Sequence, residues 1–243
     1  MKISVVMAVY NGRRFIAQQI DSILSQLEPG DELIAVDDAS SDGSSALLIG
    51  LNSPYLRVYS NAVNRGVKAA FERGLALAGG EVIFLSDQDD VWLPGKRAAF
   101  VTLFDRDEKL VVAMSDAQVI DDRGCVTADS VMALRRGFSG GVLATLWRNR
   151  YMGCAMAVRR SFLADALPIP DSVPMHDMWL GALGRLRGKV VYVDRPYIQY
   201  RRHASNETPL YSRRSWGELI RWRWRLLLAL VRRSRELSQR RPG

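Results

Sequence analysis

The chain has 243 residues, 48% of them hydrophobic and 25% charged, enough for one sizeable core and too apolar for a disordered polymer. Its two cysteines, Cys125 and Cys154, are too few for a disulfide framework and lack zinc-type spacing, which fits a reduced, cytoplasmic setting. The net charge of +8 has one origin: ten arginines from Arg213 onward face only Glu218 and Glu236, while 24 basic and 24 acidic side chains balance over residues 1–212, which argues against nucleic acid as a partner.

The first apolar run, Ile3–Val9, follows Met1 and Lys2; it is too short to span a bilayer, no small-residue cleavage site follows, and it reads as a core strand. A helix over residues 13–26 comes next, with Phe15, Ile16, Ile20, Ile23, Leu24 and then Leu27 on one face. Strands at Glu32–Asp38, Leu56–Ser60 and Glu81–Ser86 alternate with helical stretches at 44–51 and 67–78. This alternation predicts an α/β fold, a parallel sheet with helices on both sides that binds ligands beyond the carboxyl ends of its strands. Those ends carry Tyr10 and Asn11, then Asp37 and Asp38, then Asn61 and Asn64, and finally Asp87, Asp89 and Asp90.

Three carboxylates at the mouth of a buried strand require a positive partner. No G-x-G-x-x-G follows the first strand and no P-loop lysine is present, which argues against a nicotinamide dehydrogenase or a P-loop NTPase. A phosphorylated ligand here would need a metal ion for charge neutralisation.

Further along, GCAMAV (residues 153–158) suits either close backbone approach to a ligand or an ordinary core strand. Cys154 has no neighbouring base in sequence and is not read as a nucleophile. Asp177, in MHDMWL, could on its residues alone be a helix N-terminal carboxylate favoured by the macrodipole. From residue 213 to 238, helical spacing puts Trp216, Leu219, Ile220, Leu226, Leu227, Leu230 and Val231 on one arc, with Trp222 and Trp224 near its margins and most arginines opposite. That layout suits a helix lying in the headgroup layer of an anionic membrane, or one packing on protein.

The runs SVVMAVYNGRRFIAQQIDSILSQ, ELIAVDDASSDGS and NRGVKAAFERGLALAGGEVIFLSDQDDVWLPGK, followed by YMGCAMAV, MHDMWL and YRRHASN, resemble in order and spacing the inverting glycosyltransferases of family 2, to about residue 206. Within that family they look most like the bacterial rhamnosyltransferase-like branch, which builds cell-surface polysaccharides. The resemblance implies a GT-A fold, a Rossmann-like nucleotide-binding sheet with an acceptor-side subregion. Residues 1–105 would form the nucleotide-sugar half and 106–206 the acceptor and catalytic half, with a basic amphipathic helix over 207–243.

The implied activity is metal-dependent, inverting transfer of a sugar such as L-rhamnose from a dTDP- or UDP-linked donor to a glycan or lipid-linked acceptor. The enzyme would sit peripherally on the cytoplasmic face of the membrane, held by its C-terminal helix.

Position by position, the resemblance makes Asp38 the acceptor of the uracil or thymine imide N–H, with backbone around Ala8 and Tyr10 lining the base and Asn64 on the donor side. Asp87 would lie near the ribose, and Asp89 would bind Mg2+ or Mn2+ at the diphosphate. Asp90 would support the cation from behind or face the acceptor. Asp177 would be the general base, with His176 beside it. His203 would approach the diphosphate or its metal, with Arg201 and Arg202 as counter-charges.

Two other readings remain at this level. A sugar-phosphate nucleotidyltransferase would open with a glycine-rich, Arg-bearing loop where this chain has AVYNGRRF. A non-catalytic nucleotide-sugar- or glycan-binding module would not need Asp38, Asp87, Asp89 and Asp177 together.

Overall fold

The computed structural model describes residues 1–138, 141–147, 149–203 and 216–239. Its first half alternates as the sequence predicts: β1 (Ile3–Val9), α1 (Ile16–Leu24), β2 (Glu32–Asp37), α2 (Ser44–Gly50), β3 (Leu56–Ser60), α3 (Val67–Leu77) and β4 (Val82–Ser86). β3, β2, β1 and β4 lie side by side and parallel, in register from Ile3 opposite Val82 and from Ser4 opposite Glu32. β1 and β4 are buried along nearly their whole length, so they read as continuous apolar runs rather than alternating ones. Gly74 of α3 lets that helix settle on the sheet, because a Cβ there would overlap Val6.

Beyond β4 the pattern changes. The elements are β5 (Val91–Trp92), α4 (Lys96–Arg106), β6 (Leu110–Ile120), β7 (Val126–Ala128), α5 (Val131–Leu134), α6 (Val142–Trp147), a 3-10 turn at Gly153–Ala155, β8 (Met156–Arg159), α7 (Leu163–Ala166), α8 (His176–Arg187), β9 (Lys189–Arg201) and α9 (Trp216–Gln239). They extend the same sheet in the order β3-β2-β1-β4-β8-β6-β9-β5, with β7 paired to β6. β8 runs antiparallel to both β4 and β6, and β9 runs parallel to β6 with register shifts around Asp116. The purely parallel sheet expected from strand–helix alternation thus ends at β4. Apolar runs report burial, and they do not report strand direction.

The C-terminal helix corrects one expectation. The predicted apolar arc divides: Leu226 and Leu230 are buried in the core with Ala229 and Leu237, whereas Ile220, Trp224, Leu228 and Val231 are exposed. Arg233 fastens the helix by donating to the carbonyls of Asp165 (2.5 Å), Leu167 (3.2 Å) and Pro168 (2.7 Å), with its guanidinium 5.3 Å from the Trp179 ring centroid. The side chains of Trp216 and Leu219, and residues 204–215 and 240–243 of the expected tail, lie outside the described residues. No helix among the described residues is long and apolar enough to cross a membrane.

Candidate functional site

The carboxyl ends of β1 to β4 form one edge, and their loops are tied together by side chains bonding to backbone. Asn11 N–H donates to Ser40 Oγ, Gly12 N–H to Ser44 Oγ and Arg13 N–H to Asp42 Oδ2, each at 2.9 Å. Ser41 N–H donates back to Asn11 Oδ1 at 2.9 Å. Asn11 takes a positive φ of 49°, a conformation that asparagine tolerates better than most residues.

Asp38 sits differently from expectation. It is buried, and its carboxylate accepts from Asn61 Nδ2 (2.7 Å), from Arg65 N–H (3.0 Å to each oxygen) and from Gly66 N–H (2.7 Å). These donors close the β3–α3 loop around Asp38, rather than leaving the carboxylate open toward a base. Asn64 accepts from Gly66 N–H at 3.0 Å on the exposed side of the same loop. Ala8 is half-buried opposite Val36, at the end of β1. Tyr10 stands at the rim with its side chain exposed, and its backbone N–H and C=O are both taken by the Gln88 amide at 2.8 Å.

Behind this edge lies the carboxylate cluster. Asp89 and His203 come together, Oδ2 to Nε2 at 2.8 Å, with the imidazole 4.9 Å from the Phe15 ring. Of the two places expected for Asp90, the structure agrees with the one behind the cluster. Asp90 is 1% exposed; Oδ1 accepts from Arg201 N–H at 3.0 Å, and Oδ2 has no hydrogen-bond partner among the described residues. Burial, reinforced by the charges of Asp89 and Asp87, holds its carboxyl well above the usual carboxylate range.

Asp87, Asp90 and Cys154 bring one ligand atom each within 4.8 Å of one another, a group that could hold a metal ion. Of this group the two carboxylates, Asp87 and Asp90, are the donors that suit a hard divalent cation. Burial, with Asp90 and Asp87, pushes the Cys154 thiol up, so it stays protonated and is a poor ligand for such an ion. A positive side chain also serves the cluster: Lys96, fully buried, donates to the Cys154 carbonyl at 3.0 Å and lies 4.3 Å from the Trp92 ring centroid. Burial lowers its pKa to about 7, against the opposing charges of Asp90 and Asp87. Nothing in the local sequence around Lys96 signals that role.

Arg201 is a second correction. Its side chain is buried, not turned toward a ligand: Nε donates to the Asp89 carbonyl (2.8 Å), Nη1 to the Asp121 carbonyl (3.1 Å) and Nη2 to Gln18 Oε1 (2.6 Å), and the guanidinium stacks 4.7 Å over Phe15. It braces the carboxylate loop. Arg202 is half-buried and reaches Tyr200 Oη at 3.3 Å.

Asp177 lies in the first turn of α8, 8% exposed. Its Oδ1 accepts from Met178 N–H at 2.6 Å, and Asn149 Nδ2 stands 3.4 Å from each oxygen. Burial raises its pKa to about 6. His176 does not face an acceptor space. It is 4% exposed, its ring packs 4.1 Å from Phe71, and neither nitrogen has a partner among the described residues. Burial lowers its pKa to about 3, so it is a neutral packing group at physiological pH.

The segment that delivers these residues is held from α3. Lys68 Nζ donates to the carbonyls of Pro170, Asp171 and Val173 at 3.1 to 3.3 Å, and Ile169 N–H donates to Glu72 at 3.0 Å. Gln88, Asn149, Lys68 and Lys96 escaped the sequence reading. Only Gln88 carried a signal, its place between Asp87 and Asp89.

The model of glycosyl transferase family 2 matches residues 4–167. An uncharacterized glycosyltransferase of Nostoc sp. is 29% identical over 216 residues, covering 85% of this chain and 66% of the relative. The Escherichia coli UDP-Glc:alpha-D-GlcNAc-diphosphoundecaprenol beta-1,3-glucosyltransferase WfgD is 30% identical over 94 residues, 39% of this chain and 37% of WfgD. Among solved structures, S. aureus TarS 1–349 in complex with UDP-GlcNAc superposes with a TM-score of 0.71 at 17% identity, covering 96% of this chain and 66% of TarS 1–349. Its complex with UDP gives 0.66 at 19%, covering 83% and 60%. The chain therefore spans less than two thirds of the length of each of these relatives.

Proposed function

This chain belongs to glycosyl transferase family 2, with the mixed α/β sheet of the GT-A fold, and from that premise we propose that it transfers a sugar, with inversion, from a UDP- or dTDP-sugar to a glycan or lipid-linked acceptor. The observation that carries this reading is a buried carboxylate of raised pKa, Asp177, on a segment that α3 braces beside the nucleotide-type sheet edge. Relatives support the donor and acceptor classes: TarS was solved with UDP and UDP-GlcNAc, and WfgD is named for UDP-Glc and a diphosphoundecaprenol acceptor. L-Rhamnose as the sugar rests on motif resemblance alone.

In this reading the acceptor hydroxyl oxygen bonds to the anomeric carbon from the face opposite the diphosphate. The carbon–oxygen bond to the diphosphate breaks, its electron pair leaves with the nucleoside diphosphate, and the hydroxyl proton passes to Asp177. A carboxyl titrating near 6 is ionised and ready to accept that proton at neutral pH. Asp87 and Asp89 would hold Mg2+ or Mn2+ with His203 at the side, and the cation would supply charge stabilisation to the departing diphosphate. Asp38, which holds the β3–α3 loop, would present Asn64 to the nucleotide, with the backbone around Ala8 and Tyr10 beside the base. Arg202 would serve as a counter-charge to the diphosphate.

Release of nucleoside diphosphate from a panel of UDP- and dTDP-sugars tests the activity. The wild type should turn over at least one donor only when Mg2+ or Mn2+ is present, and Asp89→Ala should not. Undiminished turnover in excess chelator would overturn the cation's part, and no release from any donor would leave a binding module.

We propose, too, that the division at residue 206 separates the catalytic part from a membrane-contacting helix on the cytoplasmic face. Ile220, Trp224, Leu228 and Val231 make an exposed apolar row along α9, bordered by Arg221, Arg225, Arg232 and Arg235. Because Leu226 and Leu230 are core residues, removing the helix would unfold more than a contact. Flotation with anionic liposomes should instead be compared between wild type and a Trp224→Glu, Leu228→Glu double variant. Loss of salt-sensitive binding in the variant is expected, and equal behaviour would assign the row to protein contacts.

A further inference from the structure

The loop after β1 and the loop after β4 are each anchored on their own. Residues 11–13 are stitched to the β2 loop through Ser40, Asp42 and Ser44. The β4 loop is held by Gln19, whose Nε2 donates to Ser86 Oγ at 2.7 Å and to the Asp87 carbonyl at 3.0 Å, and by Arg201 on the Asp89 carbonyl. Gln88 joins the two. Its Oε1 accepts from Tyr10 N–H and its Nε2 donates to Tyr10 C=O, both at 2.8 Å, the pairing a neighbouring strand would make.

Gly12 completes the clasp. Its φ is outside the left-handed region, so no backbone strain requires glycine there. What excludes a side chain is space, since a Cβ on Gly12 would overlap Gln88 Oε1. The glycine in VYNG and the glutamine in SDQDD are two halves of one contact, 76 residues apart in sequence.

We infer that Gln88, with Gly12 making room for it, is a positioning residue that fixes the distance between the base end of the crevice at Tyr10 and the cation end at Asp87 and Asp89. The inference rests on the nucleotide-sugar reading of this edge. A ligand that must engage both ends benefits when their spacing is set before it arrives; a ligand that engages one end does not. Since each loop keeps its own anchors, cutting the clasp uncouples the ends without unfolding either.

The test uses full-length protein and three variants, Gln88→Ala, Gln88→Glu and Gly12→Ala. The first loses both bonds. The second places a carboxylate against the Tyr10 carbonyl. The third keeps Gln88 and crowds it out. Expected for all three are an unchanged melting temperature, faster amide exchange at Tyr10, uridine affinity within about twofold of wild type, and UDP affinity in Mn2+ lowered by about tenfold. The inference fails if UDP affinity is unchanged, or if uridine and UDP weaken together, which would mark Gln88 as merely structural. A wild type that binds neither uridine nor UDP removes the nucleotide reading and the coupling with it. Unaltered exchange at Tyr10 in Gln88→Ala would show separately that the clasp does not hold the loop.

Discussion

At the proposed nucleotide end, Asp38, Asp42, Ser44 and Gln88 commit their side chains to backbone N–H groups of neighbouring loops, whereas at the proposed acceptor end Asp177 and His176 are buried with few polar partners. The first arrangement fixes backbone shape before a ligand arrives. The second withholds solvation from two titratable groups, one carboxyl pushed up and one imidazole pushed down. A site that recognises a constant group is served by rigidity. A site that must take a proton is served by a carboxylate that water does not satisfy.

The sharpest way to separate the two ends is Asp177→Asn. Transfer should fall by about 10²-fold or more while donor affinity is kept; near-normal transfer would place the base elsewhere. The same substitution should stabilise the protein. A carboxyl raised from 3.8 to about 6 contributes stability below pH 3.8 that is lost as pH rises through 6. Asp177→Asn should therefore gain up to roughly 3 kcal/mol near neutrality and nothing near pH 3, as measured by denaturant unfolding at the two pH values.

Asp38→Ala addresses the other end. Removing the acceptor of Arg65 and Gly66 N–H should loosen the β3–α3 loop, cost about 1–3 kcal/mol of stability and weaken UDP binding, with the cation requirement intact. If stability falls and UDP affinity does not, the loop lies outside the nucleotide site.

The smallest effect on donor affinity is expected from His176→Leu. An imidazole whose pKa drops from 6.5 to about 3 contributes stability that is fully present above pH 6.5 and lost as pH falls toward 3. The leucine variant should lose less stability than wild type over that window, with little change in donor affinity. An identical acid profile would mean that His176 is not the group that titrates.

Much of the first half of the fold was legible because each of its rules is local. Ile3–Val9 and Leu56–Ser60 have the strand bounds predicted. The acceptor half was less legible for physical reasons. β8 and β6 run antiparallel in a sheet that began parallel, and a short apolar run looks the same in either direction. Two side chains were misplaced for one cause. Arg201 and His176 carry charge or polarity that suggests exposure, yet each is buried against partners far away in sequence: Gln18 and Asp121, and Phe71. Lys96 was invisible because a buried lysine above Trp92 is spelled no differently from a surface one.

Arg233 has a mechanical consequence. It grips three backbone carbonyls of one short stretch, at Asp165, Leu167 and Pro168, and leans on Trp179, and Trp179 stands two residues from Asp177 on α8, with its own indole N–H on the Ala166 carbonyl at 2.8 Å. The terminal helix and the helix carrying the proposed base are thus parts of one truss. The exposed row at Trp224 and Leu228 therefore stands on the same helix that is fastened, through Arg233, beside the helix carrying Asp177.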